Sequence, residues 1–177
     1  MAVLGYFGTT TSTSVIWGQP SATGVTKNMT LDALASLAAR MGVYADLGAT
    51  WEQSYAVQIV VETGTAPTAG KQVTLWFACS MDGSTWPGGV DGTDAAYRAG
   101  DELEWAAQLG PQAAALTVTA DGNTVQRGNY SIWYPSGRYV APVLYNGMNQ
   151  AFRDETTGTD NDSRIILVPL RSLIQDT

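Results

Sequence analysis

"YAVQIVVETGTAPTAGKQVTLWFAC", residues 55–79, decides the fold. Each end of it alternates with a period of two, the side-chain repeat of a β-strand. In the first run Tyr55, Val57, Ile59 and Val61 share one face, and Gln58 and Glu62 share the other. In the second, Val73, Leu75, Phe77 and Cys79 share a face, with Thr74 and Trp76 opposite. Between them "TGTAPTAGK" is rich in turn formers and reads as a hairpin-like turn.

The same alternation recurs downstream. "ELEWAAQL" (102–109) reads as a strand with Leu103, Trp105, Ala107 and Leu109 inside and Glu102, Glu104 and Gln108 outside. Strands are expected near 115–120 and 129–134, joined around Asp121-Gly122-Asn123, then over 138–146 and 164–171. The runs "YVAPVLY" and "IILVPL" are apolar on both faces, so something must cover their outer side, and another subunit is one such cover. Pro142 and Pro169 interrupt them; each marks an edge, a bulge or a bend, because proline cannot donate to a ladder.

Upstream, "SVIWG" (14–18) reads as a strand. "TLDALASLAARMG" fits either a helix capped by Thr30 and stopped by Gly42, or two short strands with "GVYADL" as the second. Residues 1–13, rich in Gly, Thr and Ser, read as an arm that orders only against something else. The whole implies one all-β domain, 14–177, behind that N-terminal arm: an antiparallel, jelly-roll-like β-sandwich.

Composition narrows function. Charged residues make up 14% of the 177, well below the usual quarter or so, while Trp numbers 6 and Tyr 8. That balance suits a chain that buries surface against other chains. A net charge of −7 with nine Lys and Arg speaks against nucleic acid as a partner. No run approaches the roughly 20 apolar residues of a membrane span, and the N-terminus lacks the pattern of a signal peptide. Histidine is absent and Cys79 is the single cysteine. That removes Ser-His-Asp and Cys-His catalysis, ordinary zinc sites and an internal disulfide. Neither an enzyme nor a cofactor is expected.

The series "LASLAARMGVYADLGATWEQSYAVQIVVETG", "VTLWFACSMDGSTWPGGVDGTDAAY", "LTVTADGNTVQRGNY", "RYVAPVLYNGMNQAF" and "RIILVPL" marks a stretch from about residue 30 to 171. In its order it resembles a family of small virion structural proteins of tailed bacteriophages. The resemblance implies a virion component, foremost a capsid decoration or cement protein. Its implied partners are the major capsid protein and further copies of itself, as a trimer in preference to a dimer. It implies a place on the capsid surface after assembly in the host cytoplasm. A head-fibre, collar or tail module that binds carbohydrate is the alternative. No catalytic residue is carried over.

The long loop after residue 79 holds the candidate sites. Asp82, Asp91, Asp94 and Asp101 could furnish oxygens to calcium, but their spacing does not fit an EF-hand and suits turn geometry instead. "DETTGTDND" (154–162) reads as a solvated hairpin tip. Trp86, Val90, Trp76, Trp133 and Tyr134 are the expected interface residues, since Trp and Tyr are enriched where chains meet. A sugar-stacking surface is the competing use of the same aromatics. Cys79 reads as a buried structural thiol, and Glu102 and Glu104 as solvent-facing residues.

Overall fold

The computed structural model describes residues 14–19, 24–98, 102–154 and 163–170. The expected arm lies outside the described residues, as does 155–162 of the acidic stretch. The first strands in chain order are β1 (Val15–Gly18), β2 (Lys27–Asn28), β3 (Ala39–Met41), β4 (Ala45–Asp46), β5 (Ser54–Glu62), β6 (Gln72–Ser80) and β7 (Ala95–Tyr97). After the helix α1 (Glu102–Leu109) come β8 (Ala114–Thr117), β9 (Val125–Arg127), β10 (Ser131–Trp133), β11 (Tyr139–Asn146) and β12 (Arg164–Leu170).

They form an all-β sandwich of two sheets. The first runs β10-β5-β12-β1-β2, with β9 also on β5; the second runs β7-β3-β11-β6-β8, with β4 also on β11. Pairing is antiparallel except between β1 and β2. Tyr55, Val57, Ile59 and Val61 face Val73, Leu75 and Phe77 across the main core, as their alternation predicts. Phe77 anchors that core between Trp17 and Trp133, with ring centroids at 5.6 and 4.4 Å.

The turn between these strands is not a hairpin. β5 and β6 lie in different sheets, so residues 63–71 cross from one layer to the other. Alternation reports which residues share a face, and two strands facing each other across a core satisfy it as well as two lying side by side.

Segment 102–109 is helical, not extended. Trp105 and Leu109, one turn apart, are buried, while Ala107, expected inside, is exposed. The segment holds good helix formers and no β-branched residue. Gly110, at φ 86°, ends it in the left-handed conformation and donates its N–H to the Ala106 carbonyl.

The segment "TLDALASLAARMG" forms turns followed by β3, with "GVYADL" supplying β4. Its carbonyls are claimed by distant partners instead of by a helix. The fully buried Asn146 side-chain amide donates to the carbonyls of Leu34, Ala35 and Gln150. Ala33 and Leu37 adopt positive φ, which breaks any helix there. Leu31 and Leu34 are buried in the main core as a result.

Both prolines fall where a ladder is interrupted. Pro142 lies opposite the break between β3 and β4, and its carbonyl accepts from Gly42 N–H at 3.0 Å. Its nitrogen faces that same break, so β11 loses no donor to β6. Pro169 lies beyond Val15↔Leu167, the last described pair between β12 and β1.

Gly42 is needed for close approach. A Cβ there would lie 2.9 Å from Pro142 Cγ and 3.1 Å from both Met29 Cβ and Trp17 Cδ1. Gly42→Ala is expected to destabilise the fold by about 1–3 kcal/mol through overpacking. Urea unfolding measures it; a variant as stable as the parent would contradict this packing.

Candidate interaction site

The outer face of the second sheet is covered by the chain itself. Trp76 and Val143 point away from the main core and join Ala39, Met41, Ala78 and Ala141 in a second apolar cluster. The loop after β6 folds back over them, adding Val90 through a short 3-10 turn (Pro87–Gly89), Tyr97 from β7, and Trp105 and Leu109 from α1. Trp105 meets Trp76, Tyr97 and Tyr145 edge-on, with centroids at 5.8, 5.8 and 5.1 Å. Such pairs add about 0.5–1.5 kcal/mol each beyond their buried area. The indole N–H groups of Trp76 and Trp105 are buried here without an oxygen or nitrogen acceptor among the described residues.

Glycine and aspartate set the path of this loop. Gly88 sits at φ 67°, under Leu109, and its carbonyl accepts from the Tyr97 hydroxyl at 2.5 Å. Asp82 accepts from the N–H groups of Ser84 and Thr85, each at 2.8 Å. These hydrogen bonds, with those from the Ser80 and Thr85 hydroxyls, hold its carboxyl far below the usual range. Asp91 is lowered by the Thr93 hydroxyl and N–H. Both carboxylates thus shape turns. Among the described residues no three of His, Cys, Asp or Glu come together as a metal site would need.

Asp94 has a different task. Its oxygens accept from Thr30 N–H at 3.0 Å, the Thr30 hydroxyl at 2.6 Å and Arg40 Nε at 2.7 Å. Burial pushes its carboxyl up, but these donors and the Arg40 charge outweigh that and hold it below 3.8. The ion pair fixes the start of β7 against β3 and so clamps the loop's return.

The expected interface residues are dispersed. Trp76 and Val90 lie in the second core and Trp133 in the main core. Trp86 is half-buried and Tyr134 is 69% exposed. Cys79 is half-buried beside the main core. Glu104 is exposed and pairs with Arg98. Asp101 lies outside the described residues.

Trp86 has companions that the sequence did not announce. Tyr44 lies 5.8 Å from it and 5.9 Å from Tyr139, so three segments converge in one partly exposed aromatic cluster. Gly92, at φ 74°, makes room: a Cβ there would lie 3.0 Å from Tyr44 and 3.3 Å from Trp86. Lys27 stands over Tyr44 and Arg138 over Tyr139. Arg138 also pairs with Asp46 through two hydrogen bonds, 2.7 and 2.6 Å. That partner lowers the Asp46 carboxyl. At the head of the same loop Met81 is 66% exposed. A held aromatic cluster flanked by guanidinium and carboxylate is equipped to dock on another molecule.

No family model, curated protein or solved structure matches this chain.

The Asp94 clamp has a pH signature. Its folded value is depressed, so its contribution is present above the unfolded pKa of about 3.9 and is lost as pH falls through the folded value. Asp94→Asn is expected to cost about 2 kcal/mol at pH 7, with the gap to the parent closing in strong acid. Urea unfolding across pH checks it; a constant gap from pH 7 to 2 would refute the ionic origin.

Proposed function

We propose that this chain is a structural component of a bacteriophage virion, a jelly-roll-like decoration or cement protein that docks across capsid subunits. One observation carries the reading. The loop after β6 is fixed by internal packing and leaves the Tyr44–Trp86–Tyr139 cluster at the surface. Its carboxylates Asp82, Asp91 and Asp94 are engaged in turns and an ion pair, and no histidine is present for acid–base work. A rigid aromatic anchor beside Arg138 has the composition of a binding hot spot.

The mechanism is mechanical. A protein that binds only the mature lattice stabilises that state by mass action. Repetition of one modest contact over many shell sites adds avidity when copies are joined. The major capsid protein is the intended partner, and the capsid surface is the place of action.

A carbohydrate-binding role on a head fibre, collar or tail is the second reading. It is favoured by the half-exposed rings of Trp86 and Tyr139 beside the polar pair Asp46–Arg138.

Cosedimentation with expanded shells of the encoding phage, assembled without this chain, separates the two. Saturable binding is expected, weakened at least about tenfold by Trp86→Ala, which costs about 1.4 kcal/mol or more. No binding to shells, with Trp86-dependent binding on a glycan array, would replace the cement reading with the adhesion one.

A further inference from the structure

The first sheet carries a second surface, at its β10 edge. β9 and β10 both pair with β5, in registers that differ by one residue. They form one bulged edge strand, joined at Gly128, whose N–H donates to the Ile59 carbonyl at 2.9 Å. Among the described residues β10 pairs with nothing on its far side.

Its alternation is complete. Trp133 faces the main core. Tyr130, Ile132 and Tyr134 face outward and are 53%, 61% and 69% exposed. The bond from Gly128 to Ile59 shows that odd-numbered residues of β5 turn their backbone groups toward this strand. In the antiparallel pattern the hydrogen-bonded partners are then Ser131 with Val57 and Trp133 with Tyr55. The N–H and C=O of Tyr130, Ile132 and Tyr134 therefore point off the sheet. Natural edges are blunted with charge. This one is not: residues 128–137, "GNYSIWYPSG", hold no charged side chain, between Arg127 and Arg138.

We propose that β10 pairs with β10 of a second copy of this chain, antiparallel about a two-fold axis through Ile132. Two features of the strand select a second copy over another partner. First, the exposed positions read Tyr-Ile-Tyr in both directions, and an isologous contact needs a surface complementary to itself. The axis sets Ile132 opposite Ile132 of the other copy and Tyr130 opposite Tyr134. Such apolar and aromatic cross-strand pairs each contribute about 0.2–1 kcal/mol. Second, each copy carries a net charge of −7, so two copies meet at least cost along a strand with no charge.

The surroundings fit the same axis. Ile132 is in register with Ala56, and Ala56 with Val168, giving an apolar row across the outer face. Pairing would run that row without interruption from one sheet into the next and add about six ladder hydrogen bonds. The product is a dimer, in place of the trimer expected from the resemblance, and it stands whether or not the chain belongs to a virion.

Sedimentation equilibrium of the full chain at tens of micromolar tests it. The expected mass is twice the 18.8 kDa of one chain. Ile132→Lys sets like charges opposite each other on the axis and is expected to raise the dissociation constant about a hundredfold. Because Ile132 is exposed, the variant keeps its fold, which circular dichroism and the melting temperature verify. Ile132→Cys places two thiols across a hydrogen-bonded pair with Cα atoms about 5.5 Å apart, within disulfide reach. Mild oxidation is expected to give a covalent dimer through that residue. A wild-type monomer or trimer, a dimer unaffected by Ile132→Lys, or no cross-link through Ile132→Cys would each overturn the proposal.

Discussion

Everything in this chain follows from one constraint: the central strands of the second sheet are apolar on both faces. Val73, Leu75 and Phe77 of β6 fill the main core, while Trp76 and Ala78 point the opposite way and are equally buried. β11 does the same with Val140 and Leu144 against Ala141 and Val143. A sandwich supplies only one apolar side to each sheet, so a third layer is required. The chain makes it from the loop after β6, and Trp105 is its centre. Fully burying such side chains is worth about 1.5–3 kcal/mol apiece, enough to hold an eight-residue helix that would not persist alone.

The loop's other features are consequences. Its glycines allow the chain to pass close over the sheet, its aspartates close the turns, and Asp94 ties its end to Thr30 and Arg40. Trp86 sits where the loop turns back, half in contact with the second core and half beside Tyr44. The aromatic cluster is therefore held by the same packing that covers the sheet. Binding through it would require little ordering of side chains, which is a cost that flexible loops must meet.

Much of this was legible in the sequence. A period of two located β5 and β6 and the faces they bury, and apolar runs located β11 and β12; apolarity on both faces announced the cover over β11, whereas the outer face of β12 stays half-buried. What failed did so for physical reasons. "ELEWAAQL" places Trp105 and Leu109 on one side at either period, and its helix-forming residues decide the matter. The crossover at residues 63–71 is invisible to alternation, which carries no information about sheet membership. The Asp94 clamp joins residues 64 and 54 positions apart, and Tyr44, Trp86 and Tyr139 meet only after three segments have folded. Asn146, the buried amide that claims the carbonyls of Leu34 and Ala35, shows why local helix propensity lost at 30–41: buried tertiary hydrogen bonds outweigh a few tenths of a kcal/mol per residue.

The molecule has two distinct outward features, an aromatic cluster beside the loop and an uncharged edge strand on the other sheet. The first depends on the self-made third layer, against which Trp86 packs, while the second belongs to the sheet that this layer does not cover. Unfolding of Trp105→Ala in urea tests that layer most directly. A loss of about 3–5 kcal/mol is expected, the cost of emptying a fully packed aromatic site. A loss below about 1 kcal/mol would mean that α1 rests loosely on the sheet, and that the cover must come from another chain.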